Sequence, residues 1–437
     1  MLERLLKLCS EAISRGELLR PETLTKALEE CRRLNLSEDF ARRLLGLLIE
    51  EYSRIHKLEE REEDGLRLRA FATKVREMQL SGIPVMRLEL GEPDFSAPPS
   101  AVEAAYRAMR EGYSKYGPAI GIAELRRAIA EKLSEKFGAD LKVENVAVTA
   151  GGTFATYGSI EALSKPGDEV VVIEPAWPLY AHQAKRLGRR VLKIRTHFDD
   201  DWDPVDALQE KVSKLTKIII INYPNNPTGK VLDLRALKAI SQIAEDVGAW
   251  VVSDEVYMDF SYGGGAASIL QLSAQKTLML NSFSKTWGMT GFRVGYVISE
   301  PSVVEKVAAV QNTAMTCIPE FVQRAALAAL NDEEAAKRNI ELIGRRLRIL
   351  YEELTRSDLM DVRPPRGSMY IFPRIKLENF DSWKFAKMLL EELRVAVAPG
   401  ACFGSHYNNH LRISAVLDDE PLREACRRIR EALEKYG

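Results

Sequence analysis

The 437 residues carry 62 Lys and Arg against 63 Asp and Glu, a formal net charge of -1, with 46% apolar and 29% charged residues. That balance excludes a disordered or collagen-like chain and leaves no global field to recruit nucleic acid or an anionic membrane. At ~150 residues per domain the length implies two or three domains.

Glu3, Arg4, Lys7 and Glu11 interrupt any apolar stretch at the amino end, so neither a signal peptide nor a transit peptide is expected. Residues 1–65 read as a helical extension. Leu2, Leu5, Leu6, Cys9, Ala12 and Ile13 recur at helical spacing, and Leu24, Ala27, Leu28 and Cys31 repeat the pattern after Pro21. Ser37 suits the N-cap of a third helix carrying Phe40, Leu44, Leu47, Leu48, Tyr52 and Ile55. The run Glu59-Glu60-Arg61-Glu62-Glu63-Asp64-Gly65 reads as a solvated helix end or linker. With 12 basic and 15 acidic residues, this segment lacks the charge of a DNA-binding head.

From about Val143 the texture changes. Val146–Val148, Val170–Ile173, Lys217–Ile221, Trp250–Val252, Thr277–Leu280 and Val294–Ile298 read as strands, with amphipathic stretches such as Leu234–Asp246 between them. Such alternation predicts βαβ units, a mainly parallel sheet covered by helices, and ligands bound beyond the carboxyl ends of its strands. Polar and glycine-rich clusters sit at those ends: Ala150-Gly151-Gly152-Thr153, 222–229, 254–257 and 282–285. After about Asn331 long helices return, with strand-like pieces near Met369–Phe372, Val395–Ala398 and Leu411–Ala415, which reads as a second, α+β domain. The longest aliphatic runs, Val170–Ile173 and Ile218–Ile221, are strand-sized, so no membrane span is expected. Five scattered cysteines without a CxxC suit the reduced thiols of a cytoplasm.

HExxH, a Cys/His cluster, a GxGxxG after a strand, a complete P-loop and a GxSxG elbow are all missing, so no metal, NAD, ATP or serine-hydrolase chemistry is expected. What remains is Lys285 in the small polar loop Ser282-Phe283-Ser284-Lys285-Thr286-Trp287-Gly288, with Arg293 eight residues on at a strand entrance. An amine in such a pocket can form a Schiff base with a carbonyl cofactor, and an arginine there can pair with an anion such as phosphate. Gly151-Gly152-Thr153 follows a strand and opens a helix, where free N–H groups and the helix dipole receive phosphate.

The run from Ser282 to Tyr296, together with Asn225-Asn226-Pro227-Thr228-Gly229 and Gly91-Glu92-Pro93-Asp94-Phe95, resembles the class I/II, fold-type I pyridoxal-phosphate aminotransferases, aspartate aminotransferase-like subgroup. The matches keep family order from about Phe71 to the carboxyl end. This resemblance implies an α/β fold with a mainly parallel seven-stranded sheet in a large domain at 99–328. It further implies an arm and part of a small domain at 66–98, and the rest of that α+β domain at 329–437, beside the helical extension. Pyridoxal 5'-phosphate is the implied cofactor.

By the same resemblance Lys285 is the Schiff-base lysine and proton shuttle, and Asp254 the carboxylate that keeps the pyridine nitrogen protonated. Tyr257 and Asn226 bond the ring oxygen. Strict strand alternation would point Tyr257 away from Asp254, so the chain must turn between them. Gly152, Thr153, Ser282 and Arg293 take the phosphate, and Trp177 stacks on the ring. Tyr116 reaches the phosphate of a neighbouring subunit, which implies a homodimer with shared sites. Arg412, in Leu411-Arg412-Ile413-Ser414, grips the substrate carboxylate, and Gly91 lines the substrate pocket.

The implied activity moves an amino group from an L-amino acid to a 2-oxo acid by a ping-pong mechanism. Thr153 stands where some aspartate-using members carry a lysine, so aspartate, alanine, aromatic and branched donors all stay open. A C–S lyase or a related synthase reuses the same cofactor residues, and an aminotransferase-like ligand-sensing regulator is the reading from another class.

Overall fold

The computed structural model describes residues 21–33, 36–37, 40–41, 43–44, 46–47, 64–272 and 274–436. Expectations for the first twenty residues, for Leu48, Tyr52 and Ile55, and for most of the charged run before Asp64 lie outside them. In the extension, Pro21–Arg33 is a helix that buries Ala27 and Cys31. Ser37 caps the next turn as expected: the Phe40 N–H donates to its Oγ at 3.3 Å and the Ala41 N–H to its carbonyl at 3.0 Å. A helix at Asp64–Leu80 leads into strand β1, Met86–Arg87.

The main sheet comprises β2 (Val146–Thr149), β3 (Glu169–Glu174), β4 (Arg190–Arg195), β5 (Thr216–Asn222), β6 (Trp250–Asp254), β7 (Thr277–Ser282) and β8 (Gly295–Ile298). Their order is β2-β8-β7-β6-β5-β3-β4, with only β8 antiparallel to its neighbours. Because strand side chains alternate between faces, each strand feeds two cores. Val171, Ile173, Ile219 and Ile221 pack on one side, and Val170, Val172, Ile218 and Ile220 on the other. Of the seven, β4 was not anticipated from its residues. It is one of the two sheet edges, and the charged Arg190, Lys193 and Arg195 that mask its period also discourage pairing with another chain. The extension lies close to this edge, since a Cβ built on Gly46 would fall 3.0 Å from the Arg190 side chain.

A third core gathers the carboxyl-terminal third. The helices Glu333–Leu354, Ser382–Leu393 and Asp419–Tyr436 enclose short strands at Tyr370–Ile371, Val395–Ala396, Ala398–Pro399 and Leu411–Ser414. Val75 and Leu88, from before the main sheet, belong to the same core, and β1 pairs in parallel with Val395–Ala396. Among the described residues no helix is long and apolar enough to cross a membrane.

Candidate active site

The carboxyl ends of β2, β5, β6 and β7 open on one edge of the sheet, and a cavity of about 390 Å³ lies there. It is closed from the other side by residues 89–92, by Tyr370 and Arg412, and by Leu68, Arg69 and Ala72 of the Asp64–Leu80 helix. Gly91, Gly152, Thr153, Trp177, Asn226, Asp254, Tyr257, Ser282, Lys285, Arg293 and Arg412 all line it. Tyr116 alone of the anticipated residues does not, and its side chain is 86% exposed.

Asp254 is the last residue of β6, and its neighbour in register on β5 is Asn222. Its carboxylate accepts a hydrogen bond from the Tyr180 hydroxyl at 2.5 Å and from the Val256 N–H at 3.1 Å. Burial pushes this carboxyl up to about 6, while Tyr180, the Val256 N–H and the Lys285 charge pull against that rise. The backbone turns directly after Asp254, as the sequence required, and returns Tyr257 to the same cavity. The Tyr257 and Tyr370 hydroxyls share a 2.7 Å hydrogen bond. Burial, reinforced by Tyr370, pushes the Tyr257 phenol well above its ordinary value, so it stays a neutral donor.

Lys285 donates through Nζ to the Gly91 carbonyl, and that amine lies 5.6 Å from the centre of the Tyr257 ring. Gly91 is required by close approach: a Cβ there would lie 2.2 Å from the Tyr370 hydroxyl. At the start of the Gly151–Leu163 helix, Gly151 has φ +72, and a Cβ on it would lie 2.8 Å from the Arg293 guanidinium. Arg293 itself sits at φ +55 and donates to the Thr290 carbonyl at 2.8 Å. The Ser282 hydroxyl donates to Ser284 Oγ at 2.8 Å, and Trp177 stands edge-on to Tyr180 at 5.3 Å.

Arg412 is 4% exposed and caps the opposite wall. One nitrogen donates to Asn226 Oδ1 at 3.2 Å and another to the Glu89 carbonyl, while the guanidinium carbon lies 4.5 Å from the Tyr370 ring centre. Glu89 is fully buried and pairs through Oε1 with Arg87 at 2.6 Å; burial raises its carboxyl above the ordinary value. Among the described residues no group of His, Cys, Asp and Glu could hold a metal ion.

Tyr180, Tyr370, Asn222 and Glu89 were not foreseen. Tyr180 follows Trp177 by three residues across the turn that opens the Leu179–Arg186 helix, its N–H donating to the Trp177 carbonyl at 3.2 Å, and that aromatic pair is the local signal. Asn222 ends its strand as Asp254 does, so pairing the two strand ends would have revealed it. Tyr370 and Glu89 come from segments whose approach to the sheet depends on the tertiary fold, and no local pattern marks them.

The family model for aminotransferase class I and II matches residues 83–429. An aspartate aminotransferase of Pyrococcus horikoshii is 39% identical over 355 residues, 80% of this chain and 91% of that protein. An aspartate/prephenate aminotransferase of Thermus thermophilus is 34% identical, with 83% and 95% covered. The crystal structure of an aspartate aminotransferase from Thermotoga maritima superposes with a TM-score of 0.80 at 32% identity, covering 87% of this chain and 99% of that one.

Proposed function

The chain belongs to the class I and II aminotransferases, and we propose that it moves the amino group of a common L-amino acid, such as aspartate, to a 2-oxo acid by a ping-pong route. The observation that carries this reading is the convergence of one amine, one buried carboxylate and one buried arginine, Lys285, Asp254 and Arg412, on a single cavity.

Pyridoxal 5'-phosphate is the cofactor this reading requires, and the residues present fit it. A cradle that a Cβ on Gly151 would fill lies beside the Arg293 guanidinium and the Ser282 hydroxyl. There the free N–H groups of Gly152 and Thr153, with Ser282 and Arg293, would hold the phosphate. Asp254 would face the ring nitrogen, Trp177 the ring face, Asn226 and Tyr257 the ring oxygen, and Lys285 the carbonyl. When bound, the group supplies that carbonyl and an electron sink for the pair left at Cα.

The rest of the chemistry falls to the chain. Arg412, fixed by Asn226 and the Glu89 carbonyl, presents two donors to the substrate carboxylate and so sets which Cα bond stands free to break. Lys285, waiting on the Gly91 carbonyl, is the amine that takes the Cα proton and returns it. Asp254 holds its charge against burial with the help of Tyr180, and a cationic ring nitrogen would favour that charge further.

The reading also divides the chain near residues 65, 98 and 328, and the pairing of β1 with Val395–Ala396 supports joining the arm to the carboxyl-terminal unit. It includes a homodimer in the cytoplasm. Support for the dimer comes from exposed Val102, Tyr106, Met109 and Met315 on the same chain as the outward Tyr116.

An absorption spectrum of the purified protein, followed by single additions of amino acids without any oxo acid, tests the proposal. A visible cofactor band that converts to the amine form is expected. A stable band without conversion would instead favour a lyase, synthase or ligand sensor. Lys285→Ala should lower turnover by ~10³-fold or more, and multiple turnover at the wild-type rate would overturn its assignment.

A further inference from the structure

A second cavity, of about 400 Å³, shares no lining residue with the active-site cavity. It is bounded by the helices Ala123–Phe137, Glu320–Asn331 and Glu333–Leu354 and by residues of β7 and β8. The wall between the two cavities is the one that carries the reactive groups. Side chains alternate along β7, so Ser282 lines the active site and Asn281 the second cavity. The turn after β6 divides Tyr257 from Met258 in the same way, and the loop after β7 divides Lys285 from Trp287. This loop is fastened from the second side. The Thr286 hydroxyl donates to Asp259 at 2.8 Å, and Asn339 donates to the Thr286 carbonyl at 2.9 Å.

The lining is largely apolar, with Ile129, Leu133, Met258, Leu330 and Ile340 around the Trp287 indole. Trp287 is 7% exposed, and its indole N–H has no acceptor among the described residues. The rim is charged but balanced. Lys132 pairs with Glu333 at 3.1 Å and Lys136 with Asp259 at 2.7 Å, while Lys337 and Glu341, opposite in sign, stand one helical turn apart. We propose that this cavity is a second ligand site, for a small uncharged aromatic molecule carrying one hydrogen-bond acceptor, and that its occupant steadies the loop of Lys285. The volume falls in the range of small-molecule sites, roughly 300–1,000 Å³. An apolar lining favours a ring, a balanced rim offers nothing to a net charge, and a buried donor gains from an acceptor. Because Trp287 belongs to the loop, a ligand seated on it opposes any opening that carries the indole away. The inference stands on the cavity and the loop, whatever the reaction at Lys285.

The test titrates the ¹⁵N-labelled holoprotein with acetophenone and with ethylbenzene, a molecule of similar shape without the acceptor. The indole signal of Trp287 is identified by its loss in Trp287→Phe. Acetophenone should move that signal downfield and saturably, and ethylbenzene should bind ~5- to 10-fold more weakly, the worth of one hydrogen bond. Ala336→Phe, which fills the mouth from the Glu333–Leu354 helix, should abolish the response while the signals of the other tryptophans show that the fold is kept. With acetophenone at ten times its dissociation constant, hydrogen exchange in the segment 282–289 should slow by up to ~10-fold in the wild type and not in Ala336→Phe. A Trp287 signal that neither probe moves would mean that water alone serves this N–H, and would overturn the proposal. So would equal affinities for the two probes, a shift that survives Ala336→Phe, or unchanged exchange at saturation.

Discussion

Asp254 shows how one residue's charge is set by a neighbour that does not itself react. Its carboxyl, raised to about 6 by burial, is held down from a higher value first by the Tyr180 hydroxyl. Tyr180→Phe removes that donor and should move the carboxyl further up. In the apoprotein, capture of pyridoxal phosphate should weaken as pH falls through about 6, where Asp254 takes up a proton. In Tyr180→Phe the midpoint of that loss should shift upward by ~1 pH unit, the equivalent of one hydrogen bond. Equilibrium dialysis across pH reads it, and an unshifted midpoint would mean that Tyr180 only packs. Asp254, Lys285, Asn226 and Arg412 were legible because each sits in a short motif at a strand end or strand. Tyr180 was readable only through its closeness in sequence to Trp177, and Tyr370 and Glu89 not at all, because the fold brings them from distant positions.

At the scale of elements, the run Gly91-Glu92-Pro93-Asp94-Phe95 is held by a buried cation. Arg346, on the Glu333–Leu354 helix, has a side chain only 2% exposed and bonds Asp94 at 2.6 and 3.0 Å and Asp418 at 2.7 Å. Asp94 is thus a tether between the cavity wall and that helix. Asp94→Ala leaves a buried guanidinium with one partner and should cost about 3 kcal/mol, seen as a lower midpoint in urea. Arg346→Met, which removes the charge and leaves partly exposed carboxylates, should cost less. A larger loss for Arg346→Met would contradict this order. The strands of the sheet interior were legible because Val and Ile fill both faces, whereas the edge strand β4 hid behind its charges.

For the whole molecule, two buried acids next to each other make stability fall as pH rises. Burial raises Glu255 from 4.5 to about 7 and Asp254 from 3.8 to about 6. Between each ordinary value and the raised one the folded chain binds more protons than the unfolded chain. The stabilisation is therefore complete below about pH 4 and is lost on the way to about pH 7. Glu255 lies under the sheet's end, accepting from Ser253 Oγ at 2.8 Å and the Ile269 N–H at 2.9 Å. Glu255→Gln should flatten the pH dependence of the apoprotein's Tm and stabilise it at pH 8 by up to about 3 kcal/mol. A Tm profile of unchanged slope would show that the acid is already neutralised by its neighbours.

The parallel pairing of Met86–Arg87 with Val395–Ala396 spans more than three hundred positions of chain. A ribosome releases Thr149, Asp254, Ser282 and Lys285, with the sheet that aims them, long before it releases Arg412 and the strand against which β1 docks. During synthesis the growing chain therefore owns the proposed phosphate cradle and the amine of Lys285 while Arg412, the proposed carboxylate grip, is not yet made. The order of translation keeps the proposed cradle and the proposed carboxylate grip apart until the Leu411–Ser414 strand emerges and pairs with Tyr370–Ile371 and Ala398–Pro399.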